Sequence, residues 1–167
     1  MKILIVRHAK AGERTLLGSL RKKDAARTLT PRGRRDMAKA AKGLRRLLPK
    51  IDTLASSPLV RAKETAQILA RCFDDIEVVE LPVLAPGHEP EALLAWLREQ
   101  PPDATVALVG HEPDLGIFAG YLLVGRKESS LMFKKGASCL IDIPDRTAAG
   151  AGRLEWLLQP GALRRLG

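Results

Sequence analysis

Residues 3–8 of the chain read ILIVRH, four branched aliphatic residues followed by an arginine and a histidine. An unbroken apolar run of this kind is typical of a strand buried on both faces, as in a parallel sheet covered by helices on either side. In open α/β sheets, ligands bind beyond the carboxyl ends of the strands. Arg7 and His8 directly follow this apolar run and are therefore the first candidates for chemistry.

A second apolar run ends in a similar way. Residues 105–109 read TVALV and are followed by Gly110 and His111. Because the carboxyl ends of parallel strands meet at one edge of a sheet, we expect His8 and His111 to face each other. The two strand ends together predict a site that neither would predict alone.

Arg61 is the third contributor to this predicted site. It lies in the first turn of a helix that Ser57-Pro58 is predicted to open, since serine caps helices and proline favours the first helical position. A helix start offers unpaired N–H groups and the positive end of the helix dipole, both of which suit phosphate. Two arginines can hold one phosphoryl group through paired N–H donors, and a neutral histidine can attack phosphorus.

Strands and helices alternate along the chain. Strands are predicted at 2–6, 53–55, 76–79, 105–109, 138–143 and 154–158, and helices at 31–48, from 58, from 90 and from 113. Residues 11–29 are polar and contain two glycines, which predicts a loop or lid. The alternation indicates a three-layer α/β/α sandwich around a mostly parallel sheet, and 167 residues fit a single domain, 1–167.

The net charge of +9 favours anionic partners. Nucleic acid is a minor option, because aromatic residues make up only 4% of the chain and no zinc-finger or RNP-like motif is present. The dense basic stretch at 21–35 is read either as a solvated loop and helix start or as a surface that steers acidic substrates inward.

Other sequence features narrow the class of protein. No segment approaches the roughly 20 apolar residues of a membrane span, and the N-terminus lacks a signal-peptide pattern, so we expect no membrane association and a cytoplasmic location. Cys72 and Cys139 are isolated and lack CxxC spacing. They suggest neither a zinc site nor a disulfide framework.

Three segments together resemble the motifs of the histidine phosphatase superfamily. They are residues 7–9 (RHA), 57–66 (SPLVRAKETA) and 109–111 (VGH). Within that superfamily the chain is similar to the small phosphohistidine phosphatases of the SixA type, through its short length, residues 24–30 (DAARTLT) with Gly33, residues 135–137 (KGA) and Trp156. The resemblance spans nearly the whole chain and implies a phosphoglycerate mutase-like fold.

The resemblance also implies roles for individual residues. His8 would be the nucleophile that becomes phosphorylated, and Arg7, Arg61 and His111 would hold the phosphoryl oxygens. Arg27 resembles an arginine of the subfamily's Arg-Pro-Leu-Thr segment, although Thr28 replaces the proline, and would lie at the pocket rim. No metal and no cofactor is implied. The expected partner is a phosphorylated protein, either a histidine phosphotransfer domain or a phosphocarrier, or else a small phosphorylated substrate.

The chain departs from larger members of the superfamily, which carry a general acid in the loop after the third strand. No carboxylate of residues 81–89 aligns with that position, and Glu80, Glu89 and Glu112 remain candidates that folding could bring into range. A sugar alkoxide needs a proton donor to leave. Imidazole, with a pKa of about 6.5, can leave as a neutral ring. The departure therefore favours a phosphohistidine substrate.

Two alternatives remain open at this point. One is a general small-molecule phosphomonoesterase of the same superfamily. The other is a non-catalytic module that binds phosphate or polyphosphate through the positive charge. The set of two arginines and two histidines argues against pure binding, which does not require a nucleophilic imidazole.

Overall fold

A computed structural model describes residues 1–12, 24–129, 131–145 and 147–167. Six strands and five α-helices occur in these ranges. The strands are β1 Lys2–Arg7, β2 Thr53–Ser56, β3 Val78–Glu80, β4 Thr105–Gly110, β5 Ser138–Asp142 and β6 Arg153–Leu158. The helices are α1 Pro31–Leu47, α2 Val60–Cys72, α3 Pro90–Leu97, α4 Asp114–Val124 and α5 Pro160–Leu166, with a short 3₁₀ helix at Pro82–Leu84.

The six strands form one sheet in the order β3-β2-β4-β1-β5-β6. The first four strands of this order are parallel, whereas β5 and β6 pair antiparallel at one side. The apolar run at residues 3–6 is fully buried in β1, which lies between β4 and β5. The prediction of a mostly parallel sheet is therefore confirmed.

Helices cover both faces of the sheet. One core cluster joins β-strand side chains such as Ile5 and Leu108 to α3 and α4. A second cluster joins side chains of the opposite face, such as Leu4 and Val109, to α1, α2 and α5. Alternating residues of β1 thus enter two separate cores, as the pleat of a strand requires. The prediction of a three-layer α/β/α sandwich is therefore confirmed. Separately, no helix of the described ranges has the length and apolar content needed to cross a bilayer.

The start of α1 agrees with its sequence signals. The Thr30 hydroxyl accepts a hydrogen bond from the Gly33 backbone N–H at 2.9 Å, and proline occupies the first helical position. Met37 and Leu44 are buried on the helix face that packs against the sheet. Of the predicted loop at 11–29, residues 13–23 lie outside the described ranges, and Ala11 forms an isolated antiparallel bridge with Leu29.

The second predicted helix start is wrong. Helix α2 begins at Val60 with Leu59 as its capping residue, and no side chain caps it. The Ser57 hydroxyl instead accepts a weak bond from the Leu59 N–H at 3.3 Å and contacts the His111 ring. The Ser57 side chain thus contacts His111, which is distant in sequence, and does not cap the helix. Arg61 still lies in the first turn of the helix.

Candidate active site

His8 and His111 lie side by side at the carboxyl edge of the sheet. Arg7 of β1 is opposite Gly110 of the parallel strand β4, so the next residue of each strand leaves the sheet at the same level. The His8 backbone N–H donates to the Gly110 carbonyl at 3.0 Å. The two imidazole centroids are 5.1 Å apart, and the side chains are 5% and 3% exposed. The expected juxtaposition of the two rings is present.

The His8 ring is held in one tautomer. Its Nδ1 is 2.7 Å from the Ala9 carbonyl oxygen, which can only accept, so Nδ1 carries the proton. Nε2 accepts from the Arg61 Nε–H at 3.3 Å and therefore has a lone pair. Burial and the nearby positive charges of Arg61, Arg7 and Lys135 together lower the pKa of His8 to about 4, although the bond to Ala9 raises it. The ring is neutral near pH 7 and suited to nucleophilic attack.

Arg61 is buried beside this nitrogen and held by several partners. Its Nη1 donates to the Asp24 carbonyl at 2.8 Å, and its Nη2 lies 3.2 Å from the Asp24 carboxylate. The Thr65 hydroxyl donates to the Arg61 carbonyl at 2.7 Å and accepts from the Ala9 N–H at 3.1 Å. Thr65 therefore ties the first turns of α2 to the segment that follows His8.

Arg7 reaches the site from the end of β1. Its Nη1 donates to the Phe133 carbonyl at 2.5 Å, while its Nε is buried without a hydrogen-bond partner among the described residues. The Gly136 N–H donates to the carbonyls of both Arg7 and His8 at 3.1 Å. Gly136 has a φ of +81°, which favours glycine, and it brings the chain back toward β1 just before β5.

His111 contacts Ser57 on the side away from its free nitrogen. Its Nε2 is 2.8 Å from the Ser57 hydroxyl, and its Nδ1 is buried without a hydrogen-bond partner in the described ranges. Burial and the positive charges of Arg61 and Arg7 together lower the pKa of His111 to about 3. Buried polar atoms are nearly always hydrogen bonded. The Arg7 Nε and His111 Nδ1 atoms could serve oxygens of a bound phosphoryl group.

Arg27 is joined to the site through Asp24. The Asp24 Oδ1 accepts from Arg27 Nε at 2.9 Å, and the Arg27 Nη1 also donates to the Gly12 carbonyl at 2.9 Å. Because Asp24 also pairs with Arg61, this one carboxylate bridges the two arginines. The structure thus brings Arg7, His8, Arg61 and His111 together. Arg27 lies beside this group and is linked to it through Asp24, which pairs with Arg61.

The three candidate carboxylates occupy different surroundings. Glu80 pairs with Lys63 at 3.0 Å, and Glu89 pairs with Lys127 at 2.9 Å, on exposed surface. Glu112 is part-buried and accepts from the Phe133 N–H at 3.0 Å. Burial raises the pKa of Glu112 despite that bond and the charge of Arg7. Glu112 is thus the candidate whose charge is coupled to a predicted site residue.

Sequence reasoning did not assign Asp24, Ser57, Thr65 or Lys135 to the site. Asp24 stands three residues before Arg27, a spacing that permits an ion pair. Ser57 and Thr65 both lie within the motif at 57–66, so the motif could have indicated them as site residues. The capping rule instead assigned Ser57 to the start of a helix. Nothing local in the sequence linked Lys135 to His8, because they are 127 positions apart.

The described residues contain no group of three or more His, Cys, Asp or Glu side chains that could hold a metal ion. The side chains that meet here instead carry positive charge or neutral imidazole nitrogen. Arg7, Arg61 and Lys135 are close enough to lower the pKa of His8. An arrangement of this kind is suited to a phosphoryl or similar oxyanion.

Comparison with known proteins identifies the family. Residues 3–85 match the family model of the histidine phosphatase superfamily, branch 1. An uncharacterized protein of Picosynechococcus sp. (strain ATCC 27264 / PCC 7002 / PR-6) is 35% identical over 137 residues, which are 81% of this chain and 81% of that protein. The chain belongs to the histidine phosphatase superfamily. It is accordingly a phosphatase, that is, a hydrolase that removes phosphoryl groups.

Solved structures place this histidine phosphatase within the superfamily. The structure of the protein histidine phosphatase SixA complexed with tungstate is 26% identical, with a TM-score of 0.82 over 98% of this chain and 99% of that one. A phosphoserine phosphatase of Entamoeba histolytica is 17% identical, with a TM-score of 0.69 over 93% and 95%. The second likeness shows the fold alone. The first supports the resemblance to the SixA type.

Proposed function

We propose that this histidine phosphatase hydrolyses phosphohistidine in a phosphorylated protein through a covalent phospho-His8 intermediate. The observation that carries the proposal is the orientation of the His8 ring, whose Nδ1–H donates to the Ala9 carbonyl oxygen at an N···O distance of 2.7 Å. The opposite nitrogen has its lone pair beside the Arg61 Nε–H at 3.3 Å. A lowered pKa keeps this lone pair unprotonated. The likeness to a protein histidine phosphatase adds support.

The first chemical step transfers the phosphoryl group to His8. The Nε2 lone pair attacks phosphorus while the phosphorus–nitrogen bond of the substrate breaks, and the electron pair of that bond returns to the substrate ring. A substrate ring that enters with a proton on its other nitrogen leaves as neutral imidazole, so the step needs no general acid. The Arg61 N–H that Nε2 accepts beforehand can then donate to a phosphoryl oxygen.

The second step is hydrolysis of phospho-His8. Water attacks phosphorus, the phosphorus–Nε2 bond breaks, and its electron pair returns to His8 as the lone pair, with dihydrogen phosphate as the product. Throughout, the proton stays on Nδ1, which donates it to the Ala9 carbonyl, so phospho-His8 has the same protonation as the substrate ring. The transition state gains negative charge near Arg7, Arg61 and His111, whose N–H groups would stabilise it. No metal takes part in either step.

Partner chemistry follows from the same argument. A leaving group that departs as a neutral ring suits a phosphorylated histidine of a phosphotransfer domain or a phosphocarrier. A phosphate monoester leaves as an alkoxide and needs a proton donor. Glu112 is the candidate proton donor whose pKa is affected by the charge of Arg7, and its Oε1 already accepts a hydrogen bond from the Phe133 N–H. We therefore place phosphohistidine ahead of phosphoserine or a sugar phosphate.

The proposal is tested by trapping the intermediate. The protein is mixed briefly with a phosphohistidine peptide in buffer containing EDTA, quenched at alkaline pH and analysed by mass spectrometry. We expect phosphate on His8, and at least about a thousandfold loss of turnover in His8→Ala. Phosphate on another residue, full turnover in His8→Ala, or faster hydrolysis of phosphoserine than of phosphohistidine would contradict the proposal.

A further inference from the structure

A groove adjoins the phosphoryl site on the side of α1 and α5. It starts at Ala9, the residue that follows the nucleophile, and continues past Gly136 toward the C-terminal helix. The residues that line it come from the end of β1, from α1, from the segment before β5 and from α5. They are Ala9, Lys10, Gly33, Asp36, Met37, Ala40, Lys135, Gly136, Pro160 and Arg164.

The groove has an apolar floor and a cationic rim. Ala9, Met37 and Ala40 are buried, and Pro160 also lines the groove. Lys10 and Lys135 are exposed at the edge nearest to His8. An extended peptide segment with mixed apolar and charged side chains can use both kinds of surface. A compact polyanion would gain nothing from the floor.

The single acid of the lining does not neutralise this rim. Asp36 lies 3.6 Å from Arg32 and 3.9 Å from Arg164, so its charge is offset by two arginines. Lys10 and Lys135 form no ion pair with any residue that the structure describes. Partial burial lowers the pKa of Lys135, and the charges of Arg7, Arg27, Lys10 and Arg61 act in the same direction. Positive charge is thus concentrated where the groove meets the phosphoryl site.

We propose that this groove binds the polypeptide that flanks the phosphohistidine, and that Lys10 and Lys135 form a subsite for an aspartate or glutamate side chain next to it. The inference rests on the proposed function, because it assumes that the phosphoryl group comes attached to a protein. It adds that the chain distinguishes its substrates by an acidic residue near the phosphohistidine. The phosphoryl arginines have no part in that distinction.

The occupant follows from charge and shape together. Arg7 and Arg61 would bind the phosphoryl group, which leaves the two lysines of the groove for a second anion. A carboxylate carried on a peptide backbone can place its charge at the rim while neighbouring apolar side chains cover Met37 and Ala40. Exposed ion pairs are individually weak, so the subsite would tune selectivity and would not supply most of the affinity.

The test uses two synthetic phosphohistidine peptides that differ only in glutamate or glutamine beside the phosphohistidine. Binding is measured by fluorescence anisotropy on the His8→Ala protein, and hydrolysis on the unsubstituted protein. The same comparison is made in Lys10→Gln/Lys135→Gln. The control is Lys2→Gln, which removes an equal kind of charge at the opposite end of β1. The ratio between the two peptides cancels any general loss of catalysis that the lysine substitutions cause.

We expect the glutamate peptide to bind about three- to tenfold more tightly, and this preference to disappear in the double variant but not in Lys2→Gln. In about 1 M salt, where screening acts over about 3 Å, the preference should also shrink. Equal affinity for the two peptides, or a preference that survives in the double variant, would overturn the inference. Charge-selective binding without hydrolysis would overturn the proposed function and uphold the groove.

Discussion

Glu112 and Arg7 are joined through the backbone of one residue, Phe133. The Glu112 carboxylate accepts from the Phe133 N–H at 3.0 Å, and the Arg7 Nη1 donates to the Phe133 carbonyl at 2.5 Å. The residue after His111 thus helps to set the position of the arginine before His8. The two ends of the predicted constellation are linked by a segment that sequence motifs did not include.

Removing the Glu112 side chain should therefore disturb Arg7. In Glu112→Ala the Phe133 N–H loses its acceptor, and we expect kcat/KM to fall by about tenfold, with a loss of roughly 1–3 kcal/mol in the free energy of unfolding. Steady-state kinetics and urea denaturation measure the two effects. Glu112→Gln keeps an acceptor oxygen and should recover most of both. A Gln variant as impaired as the Ala variant would show that the charge matters more than the bond.

Thr65 is expected to be important for stability although it touches no reacting atom. Thr65→Val keeps the shape but removes the hydroxyl that bonds the Ala9 N–H and the Arg61 carbonyl. Leaving the Ala9 N–H buried without its acceptor should cost about 1–3 kcal/mol, measured by urea denaturation. Thr65→Ser retains the hydroxyl and is the matched control. Equal stability of the Val and Ser variants would refute the role assigned to this bond.

The two buried histidines should make stability fall in acid. Their pKa values are lowered to about 4 and about 3 in the folded chain, whereas unfolded histidine titrates near 6.5. Between those values the unfolded chain binds protons that the folded chain does not. Stability is thus complete above about pH 6.5 and is lost as the pH falls toward 4, with His8 alone contributing on the order of 3 kcal/mol.

Urea denaturation of the unsubstituted protein and His8→Asn between pH 7.5 and 4.5 measures this effect. The variant should show the shallower dependence on pH. The raised pKa of Glu112 acts in the opposite direction, so the difference between the two proteins is the informative quantity. Identical slopes would mean that His8 titrates normally in the folded state.

Gly33 permits the close approach of α1 to the segment that follows His8. A Cβ at this position would lie 2.1 Å from the Lys10 carbonyl oxygen, a backbone atom that also accepts from the Thr30 N–H at 2.9 Å. Gly33→Ala should therefore destabilise the fold by about 1–3 kcal/mol and alter the groove at Lys10. Gly161→Ala, in another helix with no atom within 4 Å, is the control. Thermal unfolding of both variants measures the difference.

The sequence was most informative where local pattern and topology agree. The apolar runs before Arg7 and Gly110 predicted two buried parallel strands whose carboxyl ends share one edge of the sheet. The structure adds that the two strands are neighbours, with Arg7 opposite Gly110. The end of a buried strand can be found in the sequence, because the run of apolar residues stops there. Arg7, His8 and His111 could therefore be placed together from the strand ends, whereas Arg61 was placed through its motif and through a helix that begins two residues later than predicted. The chemical roles of these residues remain proposals.

The sequence was less informative where a side chain chooses between local and distant partners. Ser57 looked like a helix cap, but a buried imidazole from β4 is its partner, and the helix starts three residues later. The bond between Glu112 and Phe133 spans 21 positions and leaves no periodic signal. Such contacts depend on loop conformations, which neither hydrophobic period nor capping rules determine.

Strand β1 has a hydrogen-bonded neighbour on each side, and His8 directly follows its last residue. In hydrogen exchange, amides of such central strands open only with global unfolding, whereas loops open at much lower free energy. We therefore expect the amides of β1, just before His8, to exchange among the slowest of the sheet. Arg27, Phe133 and Lys135 lie on connecting segments. We therefore expect local opening to release Arg7 from Phe133 before it disturbs the strand that positions His8.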